Sequence, residues 1–443
     1  MEDLLHYVWK YRLYDTENPK TIEGIPFEII DPGAHNIHAG PDFFNAKIKM
    51  NDKIWVGNIE IHANSSDWYK HRHEHDKAYN SVILHIVECI DELEIRDQSG
   101  RSIPQWIMKI PGSIRKNYLY LLQNDSSVPC LGLIHTIPEI YIRDWMNALL
   151  YERLERKVRN LQDLLEQFQY DWNEVFYIVL ARNFGFGINN DAFERLAKSL
   201  PLKIILKHRD SALQIEALFL GQAGLLDDKD DGSDYFLKLQ IEYLFLKKKY
   251  QLQGLESHLF KNLRIRPNNF PHIKLIQLAH IIRQEQGLFS RIIEESEVNK
   301  LRAFFNVNPD EYWKYHSYFG KAFRKKERKL GFQTINILLI NCLIPFLFGY
   351  GKKKDSEAYT ERAFSLLETL KAEENFITTL FLRSGIQIKN AADSQALIQL
   401  KREYCEKKKC IFCRIGHKLL AKSPPSTDTQ SFASSATREC GIG

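Results

Sequence analysis

The sequence predicts an α+β N-terminal domain, a mixed sheet flanked by helices, followed by a large all-α domain. Up to about residue 115, short apolar runs alternate with turn residues, whereas from 116 to 400 apolar residues recur at the three- and four-residue spacing of helices. A length of 443 residues also favours two or three domains over one core. We therefore predict domains at 1–115 and 116–400, a basic Cys/His segment at 401–422, and a disordered tail at 423–443.

The elements of the first domain follow from local patterns. Leu4, Leu5, Val8 and Trp9 have helical spacing, and alternating residues bounded by turn signals mark the strands. The predicted order is a helix at the N-terminus, strands at 26–31, 44–50 and 54–62, a helix from 65 to about 79, a strand at 81–88 and a hairpin within 93–110. This order is typical of a mixed-sheet unit.

Composition and charge exclude several classes of protein. With 44% hydrophobic and 26% charged residues, the chain is neither wholly disordered nor a disulfide-packed miniprotein. The net charge of +5 decides little about partners. Acidic residues precede the short apolar stretch at the N-terminus, which argues against a secretory signal, and the seven cysteines suit a reducing compartment. We therefore expect a cytoplasmic protein.

One segment, 332–350, has the length and apolarity of a membrane span. It contains Gln333, Asn336, Asn341 and Pro345, each of which is costly at the centre of a bilayer. We therefore expect a buried helix there and no membrane partner.

The strand predicted at 54–62 separates its polar and apolar side chains. Because side chains alternate along a strand, Asn58, Glu60 and His62 share one face, and the isoleucines between them share the other. Such a polar face lines a cleft or forms the exposed side of a sheet, and periodicity alone leaves both open.

An acid at one strand start and an acid-x-basic triplet on the next strand, here Pro41-Asp42 and Glu60-Ile61-His62, resemble the PD-(D/E)XK nuclease superfamily. The predicted element order also agrees with the restriction-endonuclease-like core of that superfamily. The resemblance implies that Asp42, Glu60 and the backbone carbonyl of Ile61 bind Mg²⁺ or Mn²⁺. The metal would lower the pKa of a bound water and neutralise charge on a phosphodiester.

The chain departs from this pattern at His62, where the superfamily has Lys. A histidine orients or deprotonates a water near neutral pH, and it also admits softer metals such as Zn²⁺. Lys47 or Lys49, on the neighbouring strand, is a candidate for the missing cation at the scissile phosphate. Glu2 lies in the first helix, where the superfamily often has an auxiliary acid.

Downstream, Asp67, His71 and His75 recur at four-residue spacing on the predicted helix. Two such histidines can bind one metal ion, so His71 and His75 are candidate accessory ligands. A solvated polar helix face explains the same pattern.

Near the C-terminus, Cys405, Cys410, Cys413 and His417 have the spacing C-x4-C-x2-C-x3-H. Three thiolates and an imidazole complete the tetrahedral shell of a structural Zn²⁺. An iron-sulfur cluster with Cys130 as an upstream ligand is a second possibility, and a short helix with unliganded cysteines is a third.

Two basic clusters suggest nucleic acid as the partner. Lys408 and Arg414 lie in the cysteine segment, and Arg324, Lys325 and Lys326 form a second cluster, each near a phenylalanine. Cations with interleaved aromatic residues bind phosphate backbones without reading sequence.

Longer motifs resemble a specific bacterial family, the domain of unknown function 2851: the run DPGAHNIHAGPDFFNAKI, WVGNIEIHANSSDWYKHRHEHDKAYNSVILHIVE, EALFLGQAGLL at 216–226 and CEKKKCIFCRIGHKLL.

From the nuclease-like residues we predict a metal-dependent nuclease. The alternatives are a non-catalytic scaffold that binds nucleic acid or protein, and a histidine-rich metallohydrolase acting on small substrates.

Overall fold

The computed structural model describes residues 2–14, 18–227, 233–263, 265–284, 287–309, 311–320 and 322–421. The tail predicted at 423–443 lies outside these ranges. The chain divides into two compact units. The first contains Met1–Trp145 together with the chain from Leu400 onward, and the second contains Met146–Gln399.

The first unit contains a mixed sheet flanked by helices, as predicted. Its elements are α1 (Glu2–Lys10), β1 (Phe27–Asp31), β2 (Ala34–His35), β3 (Phe43–Met50), β4 (Lys53–Asn64), α2 (Asp67–Lys70), β5 (Val82–Cys89), β6 (Gln105–Ile107) and α3 (Gly112–Gln123). A long helix, α4 (Glu139–Lys157), begins in this unit and ends in the second.

The strand order is β1-β3-β4-β5-β6, with β2 paired to β3. Strands β1, β3 and β4 form an antiparallel meander, whereas β5 and β6 add parallel to β4. Met50 pairs with Lys53 across the β3–β4 turn, where Asn51 and Asp52 both have positive φ, 51° and 58°. Two such residues form the tight turn that matches strand twist, which sets the register of the hairpin.

The first helix packs on the sheet through the residues that predicted it. Leu4, Leu5, Val8 and Trp9 are fully buried, and the Trp9 ring contacts Phe43 edge to face. Because Ile59 pairs with Phe43, this face of the sheet is the apolar face of β4. Glu60 and His62 therefore point to the opposite face.

The helix predicted from 65 to 79 is wrong beyond Lys70. After the single turn of α2, Arg72 adopts a left-handed conformation with φ of 62°, and two short 3₁₀ turns, His73–His75 and Lys77–Ser81, lead into β5. Trp68 and Tyr79 anchor this crossover in a buried cluster with Val82, Ile95 and Ile103. Tertiary packing of two aromatic side chains overrides the local helical pattern.

The hairpin predicted within 93–110 is only partly correct. Its tip is held by one antiparallel bridge between Arg96 and Ser102, and the Asp97 carboxylate accepts hydrogen bonds from Ser99 and Arg101. The following strand, β6, leaves the hairpin and pairs parallel with β5. As a result, Gln105 enters the sheet beside His85.

The described residues of the second unit form helices and the loops that connect them, as predicted. After α4 its helices are α5 (Leu161–Gln167), α6 (Trp172–Phe184), α7 (Asn190–Ser199), α8 (Leu202–Leu206), α9 (Ala212–Gln222), α10 (Asp234–Tyr250), α11 (Pro271–Gln284), α12 (Leu288–Glu294), α13 (Val298–Ala303), α14 (Glu311–Tyr315), α15 (Phe332–Leu338), α16 (Ile344–Lys353), α17 (Glu357–Thr369), α18 (Phe376–Arg383) and α19 (Ala391–Gln399). The last helix described, α20 (Arg414–Leu420), belongs to the first unit.

Helices α15 and α16 are joined by the π turn Leu339–Leu343 into one helix, Phe332–Lys353. Its length and composition would allow it to cross a membrane, but 72% of its most apolar stretch is buried within the protein. Core helices of soluble proteins have the same properties, so this helix is weak evidence for a membrane span.

Candidate functional site

Asp42 and Glu60 lie side by side where β3 begins and β4 becomes buried. The Asp42 backbone N–H donates to Glu60 Oε2 at 3.1 Å, and the Ile61 N–H donates to Asp42 Oδ2 at 2.9 Å. Glu60 is only 4% exposed. Burial, and then the neighbouring Asp42 carboxylate, raise the pKa of Glu60 well above its ordinary value. The two carboxylates thus form a pair that favours a bound proton or cation.

Three imidazoles surround Glu60 from the crossover side. His62 Nε2 and His73 Nε2 lie 3.4 Å and 3.3 Å from Glu60 Oε1. His71 Nδ1 is 3.1 Å from His62 Nε2, and one ring nitrogen of each of the three histidines falls within 4.8 Å of the others. His62 and His73 are buried, whereas His71 is exposed.

A chain of hydrogen bonds determines which nitrogen of His62 carries the proton. Gln105 Nε2 donates to the carbonyls of Glu92 and Leu93, so Gln105 Oε1 is left to accept from His85 Nδ1 at 3.2 Å. His85 Nε2 then accepts from His62 Nδ1 at 2.8 Å. The lone pair of neutral His62 therefore lies on Nε2, facing Glu60 and His71. Outer partners of this kind orient the histidine ligands of metals.

The donor set fits a divalent cation. A lone pair on His62 Nε2 faces a carboxylate oxygen of Glu60, an arrangement that repels unless a proton or a metal lies between them. His73 Nε2 is buried without a hydrogen-bond partner and points to the same oxygen. Burial, and then the charges of neighbouring histidines, lower the pKa of His62, so its neutral, metal-binding form prevails.

His6, on α1, contacts the other carboxylate of the pair. Its Nε2 lies 3.2 Å from Asp42 Oδ2, although without hydrogen-bond geometry. Burial opposes charge on this imidazole, but the adjoining Asp42 carboxylate, with smaller effects from Asp3 and Glu2, raises the pKa of His6. Glu2, the predicted auxiliary acid, is the first residue of the same helix. His6 was missed in the sequence, although it follows Glu2 by one helical turn.

The other predicted residues around this site are more distant. Lys47 is exposed and pairs with Val56, four residues along β4 from Glu60, or about 13 Å at the rise of a strand. Lys49 is farther along and contacts Asp52 at 3.6 Å. The His75 side chain is 76% exposed and contacts Glu74, because the break at Arg72 turns His73 inward instead.

A cleft of about 620 Å³ opens beside His6 within the first unit. Three cations line it, Lys10, Arg414 and Lys418, with Asp3 and Asp144 as the acidic members. Arg414 pairs with Asp144 and lies over the Trp145 ring. Four aromatic side chains also line the cleft: Tyr7, Tyr11, Tyr141 and Phe412. Three of these, Tyr11, Tyr141 and Phe412, are more than 40% exposed.

Of the predicted nucleic-acid contacts, Arg414 alone lines this cleft. Lys408 Nζ donates to the Leu122 carbonyl at 2.6 Å and is therefore tied to the protein. Arg324 and Lys326 line a second cleft, of about 630 Å³, within the second unit, and Lys325 contacts Glu311 at 3.5 Å.

The structure separates the three cysteines of the predicted Cys/His ligand set from its histidine. Cys405, Cys410 and Cys413 are buried, and so is Cys130. His417 points to the cleft instead, where its Nδ1 lies 2.8 Å from the Tyr7 hydroxyl.

Comparisons with known proteins agree with these motifs. The model of the family described as protein of unknown function (DUF2851) matches residues 2–376. No curated protein and no solved structure matches the chain significantly. The matched range contains the whole sheet, the carboxylate pair and every histidine around it, and most of the helical unit. The chain therefore belongs to the DUF2851 family.

Proposed function

We propose that this protein is a metal-dependent hydrolase of phosphodiester bonds in nucleic acid. The observation that carries the proposal is the position of His6. This residue contacts Asp42 of the carboxylate pair and also lines the cleft of cations and exposed aromatic side chains. A metal-binding pair beside such a cleft suits a single strand, whose phosphates meet cations while its bases stack on aromatic rings.

Asp42 and Glu60 would hold the cation together with the imidazoles of His62, His71 and His73. A divalent metal there lowers the pKa of bound water and neutralises charge on the phosphate. Imidazole ligands favour Mn²⁺ or Zn²⁺ over Mg²⁺, which prefers oxygen. His6 would orient the water in place of the lysine that the PD-(D/E)XK pattern has after its second acid.

The fold of the first unit supports this proposal. Helix α1, the meander β1-β3-β4, the crossover at 65–81 and the parallel strand β5 follow the element order of the PD-(D/E)XK core. The acids also occupy its two positions, Asp42 at the start of the middle strand of the meander and Glu60 on the last.

The test is cleavage of labelled single- and double-stranded DNA and RNA by the purified protein with Mg²⁺, Mn²⁺ or Zn²⁺. We expect metal-dependent cleavage that Glu60→Gln abolishes, because the amide is a neutral and weaker metal ligand. Glu28→Gln, an exposed residue of β1, is the matched control and should retain full activity. Equal activity of Glu60→Gln and wild type would contradict the proposal. Salt-sensitive binding without turnover would favour the non-catalytic scaffold.

The histidine cluster favours a second candidate, a metallohydrolase of small phosphoesters. Three imidazoles with one carboxylate resemble the ligand sets of zinc hydrolases more than the oxygen-rich sites of magnesium nucleases. A chromogenic small phosphodiester, assayed beside the oligonucleotides, separates the two candidates. Turnover of the small ester with no cleavage of any nucleic acid would favour this second function.

A further inference from the structure

Four cysteines from distant parts of the chain are buried in the first unit. Cys130 follows α3, and Cys405, Cys410 and Cys413 lie between the π turn Leu400–Cys405 and α20. Each of the four is no more than 8% exposed. Their sequence separation of more than 270 residues means that only the tertiary fold brings them together.

Polar contacts hold the two segments against each other. Lys408 Nζ donates to the Leu122 carbonyl near the end of α3, and Asn117 Nδ2 donates to the carbonyls of Leu419 and Leu420 at 3.2 Å and 3.3 Å. On the other side, Asn124 Nδ2 donates to the Pro129 carbonyl at 3.0 Å, which fixes the loop that carries Cys130.

The segment that carries three of the thiols folds back on itself, because the Cys413 N–H donates to the Cys410 carbonyl at 3.2 Å and the Lys408 N–H donates to the Cys405 carbonyl at 3.1 Å. The four thiols also act on one another electrostatically. The pKa of Cys130 is raised by burial and then by Cys413 and Cys410. That of Cys405 is raised by burial and then by Cys130, Cys413 and Cys410, and that of Cys410 by burial and then by Cys413. Each of the six possible pairs of these four thiols therefore appears among the interactions. Burial keeps these thiols protonated, and a metal cation that replaced their protons would convert them to thiolate ligands.

We propose that Cys130, Cys405, Cys410 and Cys413 together bind a metal centre through four thiolates. Cys130 takes the fourth position, which the spacing alone assigned to His417. His417 instead faces the Tyr7 hydroxyl, which lies 2.8 Å from its Nδ1.

Two kinds of centre share this ligand chemistry. A structural Zn²⁺ and an iron-sulfur cluster each take four cysteine thiolates. Binding either one displaces the thiol protons to solvent, so affinity rises with pH. With four protein ligands no water position is left on a zinc ion, which makes the centre structural rather than catalytic.

The centre would hold one wall of the cleft. Ile411, Phe412, Cys413 and Arg414 all line the cleft, and the first three lie within or directly beside the thiol cluster. Helix α20 packs closely here as well, because a Cβ on Gly416 would meet the Cys410 carbonyl at 2.0 Å. A metal would therefore join the C-terminal segment to the loop after α3 and keep the wall in place.

The test is elemental analysis and X-ray absorption on full-length protein purified without air. In a His71→Ala background, which weakens the other proposed metal site, we expect one zinc per chain, or iron with acid-labile sulfide, and a first shell of sulfur alone. Cys130→Ser should lose the metal, whereas His417→Ala and Cys342→Ser should keep it. Cys342 is a matched control because it is a buried thiol of the second unit.

Wild-type measurements keep the proposal falsifiable if Cys130→Ser fails to fold. A shell of three sulfurs and one nitrogen that His417→Ala abolishes would overturn the four-thiolate assignment. So would disulfides among these cysteines, or protein that holds no metal after purification without air and after reconstitution with Zn²⁺ or with iron and sulfide. Because the readouts are metal content and ligand type, the result does not depend on nuclease activity.

Discussion

At the scale of single residues, the central feature is that hydrogen-bond acceptors of neighbouring histidines face the carboxylate of Glu60. His62 presents a lone pair because its other nitrogen donates to His85, and His73 presents an unpartnered nitrogen to the same carboxylate. These side chains are stable in their neutral forms without metal, and in the proposed site they would become ligands once a cation took the place of any proton shared between them. Sites with strongly perturbed pKa values are functional candidates for this reason.

His71 and His75 provide a matched pair of variants for metal binding. His71 lies 3.1 Å from His62, whereas His75 is exposed and contacts Glu74. We expect His71→Ala to weaken Mn²⁺ or Zn²⁺ affinity by about 10-fold or more and His75→Ala to leave it unchanged. Titration calorimetry measures both. Equal losses for the two variants would indicate that the two histidines contribute only to the general charge of the crossover.

A buried histidine of the second unit predicts acid sensitivity. His272 packs against the rings of Trp313 and Phe319, its Nδ1 has no partner, and burial lowers its pKa from 6.5 to about 4. The unfolded chain binds this proton more tightly, so the stability contribution is complete above pH 6.5 and is lost as the pH falls towards 4.

We expect His272 to account for a loss of about 2 kcal/mol in the free energy of unfolding between neutral pH and pH 5. Urea unfolding of wild type and His272→Leu at both pH values measures it. The variant should lose less stability on acidification by about that amount. The same pH dependence in both proteins would place the acid sensitivity at other groups.

At the scale of elements, close packing limits what each helix can carry. Helix α9 contacts α10 through Gly221, where a Cβ would lie 2.1 Å from the Tyr243 ring. The Tyr243 hydroxyl also donates to Gln222 at 3.1 Å, which fixes the ring. The glycine therefore stays in a helix despite its low propensity because the neighbouring helix leaves no room.

Gly221→Ala should destabilise the protein by about 1–3 kcal/mol, because overpacking outweighs the gain in helix propensity. Gly112→Ala, at the start of α3, is the comparison, since a Cβ added there would meet open space to a distance of 4 Å. That change should be neutral or slightly stabilising. Thermal unfolding of both variants checks this, and a stable Gly221→Ala would show that Tyr243 can move.

At the scale of the whole molecule, each unit contains a cleft with more cations than acids in its lining. The first contains Lys10, Arg414 and Lys418, and the second contains Arg324 and Lys326 with other cations. Total charge does not reveal this, because 61 basic residues are balanced by 56 acidic ones. A polyanion binds to such local groups of cations, so the distribution of charge matters more than its total.

Salt dependence of binding tests which cleft meets phosphates. In a Glu60→Gln background, which prevents cleavage, Lys418→Ala should reduce the slope of log affinity against log salt by about 1 for a single-stranded oligonucleotide. Lys53→Ala, an exposed cation of the β3–β4 turn, should not change it. Arg324→Ala reports on the second cleft. An unchanged slope for Lys418→Ala would remove the first cleft from the binding surface.

Much of the first unit could be predicted because local patterns and packing agree there. Alternation identified the meander, and the two turn residues fixed its register, so Asp42 and Glu60 were expected on neighbouring strands and are hydrogen-bonded there. The crossover was predicted poorly because its helical pattern yields to the burial of Trp68 and Tyr79.

The sequence by itself thus determined the fold class and placed Asp42 and Glu60 on neighbouring strands of the meander, because periodicity and turn chemistry act over a few residues. Only the tertiary structure decided which histidines join the pair, since one left-handed residue, Arg72, exchanges His75 for His73. It also brought Cys130 to the C-terminal cysteines. Contacts between segments far apart in the chain depend on the packing of whole elements, which leaves no local pattern in the sequence.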